Sequence, residues 1–89
     1  MKVVLHRDAE KYLDRIPEPA KSHVEDALYD LEEEPPKGDI RPLAGQQDTF
    51  RLKIGGYRII FRCKNDSIYV THIDPRGQAY KKKNRGNKR

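Results

Sequence analysis

Residues 49–64 read Thr-Phe-Arg-Leu-Lys-Ile-Gly-Gly-Tyr-Arg-Ile-Ile-Phe-Arg-Cys-Lys, and the fold is decided here. Phe50, Leu52 and Ile54 alternate with Arg51 and Lys53, the period of a strand with one face in a core and one in water. Gly55-Gly56 is a tight hairpin signal. Beyond it Tyr57, Ile59, Phe61 and Cys63 alternate with Arg58, Ile60, Arg62 and Lys64, and Asn65-Asp66 marks a second turn. A last strand is predicted from Ser67 to Ile73, ended by Asp74-Pro75. Upstream the period is different. Ala9, Tyr12, Leu13 and Ile16 recur at helical spacing, with Asp8 placed to cap the start and Pro17 to end the element. Ala20, Val24, Ala27, Leu28 and Leu31 form a second apolar stripe opening near Pro19, and Pro35-Pro36 stop it. Lys2 to His6 is a short β-branched run.

The predicted fold is therefore α+β: an N-terminal strand, a two-helix hairpin, then a three-stranded antiparallel meander, with the helices on one face of the sheet. Eighty-nine residues with 35% hydrophobic content make one small domain, placed at residues 1–80, followed by a basic tail at residues 81–89 that is expected to be disordered when free. The lone Cys63 permits no internal disulfide, which fits a reducing cytosol. Charged residues interrupt the apolar run after Leu5, unlike a signal peptide, and no stretch approaches a membrane span.

Charge is unevenly spread. The tail carries Lys81, Lys82, Lys83, Arg85, Lys88 and Arg89, so residues 1–80 sum to −1 of the total +5. Residues 8–34 set ten acids against Lys11, Arg15 and Lys21, a net −7, whereas residues 35–80 set eight Lys or Arg against Asp39, Asp48, Asp66 and Asp74, a net +4. A polyanion is expected to meet the second half of the chain.

The uncovered sheet face is where chemistry is expected. Arg51 and Lys53 point off the same side of one strand, Arg58 faces them from the next, and Arg76 and Tyr80 follow the last strand. Polar-out alternation alone describes any half-buried sheet, but like charges on adjacent strands are unfavourable, and an anion relieves that cost. Cations beside an aromatic suit single-stranded nucleic acid. RNA brings its own nucleophile, the 2′-hydroxyl. Cleavage then requires a proton acceptor, cations for the phosphorane and a donor for the leaving oxygen. A lysine serves as a base where its charged form is disfavoured, as neighbouring cations do, and Lys53 stands between Arg51 and Arg58.

The run Phe50–Phe61 resembles the central hairpin of the RelE/ParE toxin superfamily, with further support from Ala9–Ile16, from Arg41-Pro42-Leu43-Ala44-Gly45 and from Arg76 followed by Tyr80. The likeness spans roughly Val3 to Tyr80. It implies a RelE-type toxin of a type II toxin-antitoxin system, cleaving mRNA on the ribosome without metal or cofactor and held by a cognate antitoxin in a hetero-oligomer in the cytoplasm. Carried over residue by residue, Lys53 matches the general base, Arg51 the phosphate-gripping cation beside it, Arg58 the transition-state arginine, Arg76 the one facing the leaving oxygen, and Tyr80 the tyrosine that stacks on the substrate. Arginine is a poor proton donor, so charge is the firmer expectation for Arg76. The tail residues Lys81, Lys82, Lys83 and Arg85 are expected to add RNA phosphate contacts. Two alternatives stay open: a ParE-like toxin that inhibits DNA gyrase, and an RNA-binding module without turnover.

Other residues are given structural readings. His6 and His23 lack partners at metal-ligand spacing. His72 could serve as a general acid or base but reads as a strand histidine near the sheet edge, Cys63 as a buried thiol, and Tyr12, Tyr29 and Tyr69 as packing residues. Glu32-Glu33-Glu34 reads as a solvated helix end.

Overall fold

The computed structural model describes residues 1–75. They form β1 (Lys2–Leu5), α1 (Arg7–Arg15), α2 (Ala20–Asp30), β2 (Asp39–Pro42), β3 (Thr49–Ile54), β4 (Tyr57–Lys64) and β5 (Ser67–Asp74). One five-stranded sheet runs in the order β1-β5-β4-β3-β2, with β1 parallel to β5 and every other pair antiparallel. The α+β architecture and the meander β3-β4-β5 match the sequence expectation. The strand β2 is an addition: four residues with one apolar side chain, Ile40, and a proline that suits an edge carry too little periodicity to be read alone.

Both helices cover one face. Leu13, Ile16, Val24, Leu28 and Leu31 bury against Leu52, Ile59, Phe61, Ile68, Val70 and Ile73. Phe50 and Phe61 stack with ring centroids 5.6 Å apart. Among the described residues no helix is long and apolar enough to cross a membrane.

Local details differ from expectation where side chains compete for the same role. The cap of α1 is His6, whose Nδ1 accepts the Asp8 N–H at 3.1 Å, so the imidazole does what the Asp8 carboxylate was expected to do. The start of α2 is held by Glu18, which accepts from the Ser22 hydroxyl at 2.7 Å and the Ser22 N–H at 3.1 Å; these bonds hold its carboxyl below the ordinary value. The helix ends at Asp30, ahead of the glutamate run, and the Glu32 carboxylate turns back to accept the Val3 N–H at 3.1 Å. Gly38 has φ +130°, and a Cβ there would meet Leu52 Cδ1 at 2.6 Å, so the entry to β2 needs glycine on two counts. Tyr29 is 70% exposed and is not a packing residue.

The register of β5 holds the departure that matters most for the site. Phe61 pairs with Val70, yet Ile60 pairs with His72, leaving Thr71 as one extra residue in β5. A strand has period two, so one insertion exchanges the faces of everything beyond it. Simple alternation from Ile68 and Val70 would carry His72 into the core. The bulge instead puts Ile73 there, 4% exposed and opposite Ile59, and turns His72 to the open face.

Candidate nucleic-acid interface

Register alone sets out the open face in rows across the strands. One row reads Asp39, Lys53, Arg58 and Asp74 from β2 to β5; the next reads Arg41, Arg51, Ile60 and His72. Lys53 thus stands directly opposite Arg58, where Cβ atoms lie about 5 Å apart, and Arg51 is two residues along β3, about 7 Å away. The face concentrates positive charge. Arg41, Arg51, Lys53 and Arg58 occupy these two rows against Asp39 and Asp74, and the carboxylates sit at the two ends of one row.

Those carboxylates come from segments far along the chain from the hairpin and were not anticipated as partners. Asp74 Oδ2 lies 3.8 Å from Arg58 Nη2, and Asp39 Oδ1 lies 3.6 Å from Arg41 Nε. Both pairs are long and about half exposed, the kind that contributes about 0–1 kcal/mol. Among the described residues Arg51 and Lys53 have no carboxylate within ion-pair distance, and Arg58 Nε is buried without a hydrogen-bond partner. An arginine offers five N–H donors in a planar fork. Asp74 engages one edge of it at long range, and since Nε is buried the terminal Nη groups are what it offers to an anion.

Beside Arg51 the face dips into a shallow pocket of about 490 Å³ lined by Leu43, Gln46, Gln47, Thr49, Ile60, Arg62, Thr71 and His72. The 43–47 loop is tied down by the Leu43 N–H donating to Thr49 O at 2.9 Å and by Thr49 Oγ1 donating to Gln47 O at 3.1 Å. Thr71 Oγ1 donates to Ile60 O at 3.4 Å and lies 3.1 Å from His72 Nδ1. Which partner donates across the Thr71–His72 contact depends on the imidazole tautomer.

Of the residues expected to form the site, Arg51, Lys53 and Arg58 are brought to one patch. Arg76, Tyr80, Lys81, Lys82, Lys83 and Arg85 lie outside the described residues; Arg76 follows Asp74 by two positions in the chain. The sequence reading missed Arg41, Arg62 and the Ile60–His72 pocket. One signal for the pocket was present: the apolar spacing of three from Val70 to Ile73, which betrays an inserted residue. Cys63 is half-buried, and burial and Asp48 push its thiol up, which disfavours the nucleophilic thiolate. Burial, Tyr57 and Asp74 push the Tyr12 phenol up as it packs edge-on against Tyr57 at 6.5 Å. Among the described residues no group of three or more His, Cys, Asp or Glu is placed to hold a metal ion.

The helix layer on the far side is not cationic. On α1 Asp8, Glu10 and Asp14 are balanced by Arg7, Lys11 and Arg15, and on α2 Glu25, Asp26 and Asp30 outnumber Lys21.

Comparison with known proteins gives the same architecture. A chain of the RelB-RelE antitoxin-toxin complex from Methanococcus jannaschii superposes with a TM-score of 0.71 at 18% identity, covering 88% of this chain and 95% of that one. The isolated E. coli RelE toxin gives a TM-score of 0.71 at 16% identity, with 91% and 96% covered. The archaeal RelE-RelB complex from Pyrococcus horikoshii gives 0.63 at 25% identity, with 86% and 96% covered. No curated protein matches the sequence. Residues 3–80 match the family described as the ParE toxin of the type II toxin-antitoxin system parDE. That match takes in nearly the whole chain, and with the RelE-like fold it identifies the protein as a toxin of a type II toxin-antitoxin system, a member of the RelE/ParE superfamily.

Proposed function

We propose that this toxin is a ribosome-dependent endoribonuclease that cleaves mRNA with its open sheet face. The observation that carries the reading is Lys53 opposite Arg58 with Arg51 one row away, three cations on one phosphate-sized patch of which two have no carboxylate partner among the described residues. A RelE-like fold in the solved neighbours supports it.

The chemistry follows from the patch. The 2′-oxygen of the substrate attacks the adjacent phosphorus as its proton passes to Lys53 Nζ. The phosphorane charge is met by the Arg51 and Arg58 guanidiniums, which strengthen their hold as that charge develops. The bond from phosphorus to the 5′-oxygen breaks, leaving a 2′,3′-cyclic phosphate and a 5′-hydroxyl, with water giving the proton to the departing oxygen. Arg76 is assigned to that side of the phosphate and Tyr80 to stacking on the nucleotide, with Lys81, Lys82, Lys83 and Arg85 contacting RNA phosphates. An open patch grips phosphate without fixing the line of attack, so the ribosome supplies alignment. The expected partner is a cognate antitoxin, since several of the solved neighbours are antitoxin complexes, and the place of action is the cytoplasm.

A second reading has its own support: the matching family bears the ParE name, which favours a gyrase-directed toxin. One experiment separates the two. The purified chain is added to a translation reaction, mRNA 5′ ends are mapped, and gyrase supercoiling is assayed alongside. Cuts that weaken about 10²–10³-fold in Arg58→Ala, and that are also lost in Lys53→Ala, support the nuclease; intact mRNA with blocked supercoiling supports the other branch.

A further inference from the structure

Every outward position of β3 and β4 in the open-face rows is polar except one. Ile60 stands between Arg51 on β3 and His72 on β5, half-buried on a face that no helix covers. A solvated face needs no apolar centre there, and a phosphate grip needs no pocket. The side chain is nevertheless walled by the 43–47 loop and by Thr49, both held in place by hydrogen bonds. We propose that this pocket is a nucleobase subsite, taking one base of the RNA whose phosphate is gripped next door. The inference rests on the RNA reading above and adds to it a place where base identity is read.

The parts fit that ligand class. Ile60 supplies an apolar floor for the face of a base, since a flat ring buries its π-surface on such a side chain while its edge stays polar. The edge meets polar groups. The His72 imidazole lines the pocket, its ring 3.1 Å from Thr71 Oγ1, and offers a donor or an acceptor according to its tautomer, while the exposed Arg62 guanidinium is a donor fork in the same lining. The bulge at Thr71 makes the arrangement possible, because it turns His72 outward. Spacing agrees too. Two strand separations place His72 about 10 Å from Arg51, leaving room for one base between the phosphate grip and the imidazole.

The test is binding of uncleavable 2′-O-methyl hexanucleotides of A, C and U, with an abasic phosphodiester of the same length, to the purified full chain. The wild type is expected to bind its preferred base roughly five- to a hundredfold more tightly than the abasic strand, the range that a stacked base confers. Ile60→Ala and His72→Gln are each expected to bring the bases within about twofold of one another, while abasic binding stays at the wild-type level and shows the fold intact. Arg51→Ala is expected to weaken all four strands together, through lost phosphate contact. A base preference that survives both Ile60→Ala and His72→Gln overturns the subsite and leaves the cationic face standing. Equal binding of all four strands by the wild type does the same. If no strand binds, abasic included, the RNA reading fails and the subsite falls with it.

Discussion

Deleting Thr71 is the sharpest test of how this fold aims its open face. The deletion removes the one residue of β5 that has no partner on β4, and plain alternation then restores the rest of the register. Val70 stays opposite Phe61, His72 opposite Ile60 and Ile73 opposite Ile59, so every side chain keeps its face. What is lost is the hydroxyl with its hydrogen bonds, about 0.5–1.5 kcal/mol. A slip by one residue would be far more costly. It would expose Ile73, now 4% accessible, or Ile68 and Val70, both 0%, at about 1.5–3 kcal/mol for each side chain. The matched control is Thr71→Ala, which keeps the bulge and loses only the hydroxyl. Urea melts of the three proteins by circular dichroism decide the matter. The deletion is expected within about 1 kcal/mol of Thr71→Ala. A deletion variant about 3 kcal/mol or more below that control, the cost of exposing a core side chain, would refute the parity argument, and with it the account of why His72 faces out.

Three further outcomes are expected. Asp74→Asn releases the Arg58 guanidinium from a 3.8 Å contact, so stability changes by at most about 1 kcal/mol while RNA affinity rises by up to about fivefold and its salt dependence steepens by about one phosphate contact; filter binding across a salt series checks this, and weaker binding would contradict it. Gly38→Ala forces a side chain into a φ of +130° against Leu52, and an overpacked core typically loses about 1–3 kcal/mol, readable as a lower midpoint of thermal unfolding. The Glu18 carboxyl is held low by Ser22, so it contributes stability above its ordinary value of 4.5 and loses it as pH falls through the lowered one; Glu18→Gln, compared by melts on either side of that window, should show a smaller acid-induced decline than the wild type.

How far the sequence could be read depends on where each constraint comes from. The hairpin of β3 and β4 was legible to the residue, because its period, its glycine turn and its outward cations all lie within sixteen consecutive positions. The stripes of α1 and α2 were legible for the same reason. Their ends were not, since His6 and Asp8 compete for one cap and Glu32 is drawn away to β1. The strand β2 exists because β3 offers it a ladder, and nothing within Asp39–Pro42 announces that. Arg51, Lys53 and Arg58 could be placed together from alternation, whereas Asp39 and Asp74 join their row only through register with β3 and β4. The pocket needs three separate segments at once, and its outward histidine depends on an insertion that local alternation conceals.

The distribution of charge between the two layers has a kinetic consequence. Acids exceed bases by two on α2 and balance them on α1, while the opposite sheet face is cationic, so a polyanion is drawn to the sheet side before contact. Neutralising the α2 acids would leave the cationic sheet face untouched and raise the net charge. Encounters with a polyanion would then be faster but less selective for that face, most visibly at low ionic strength.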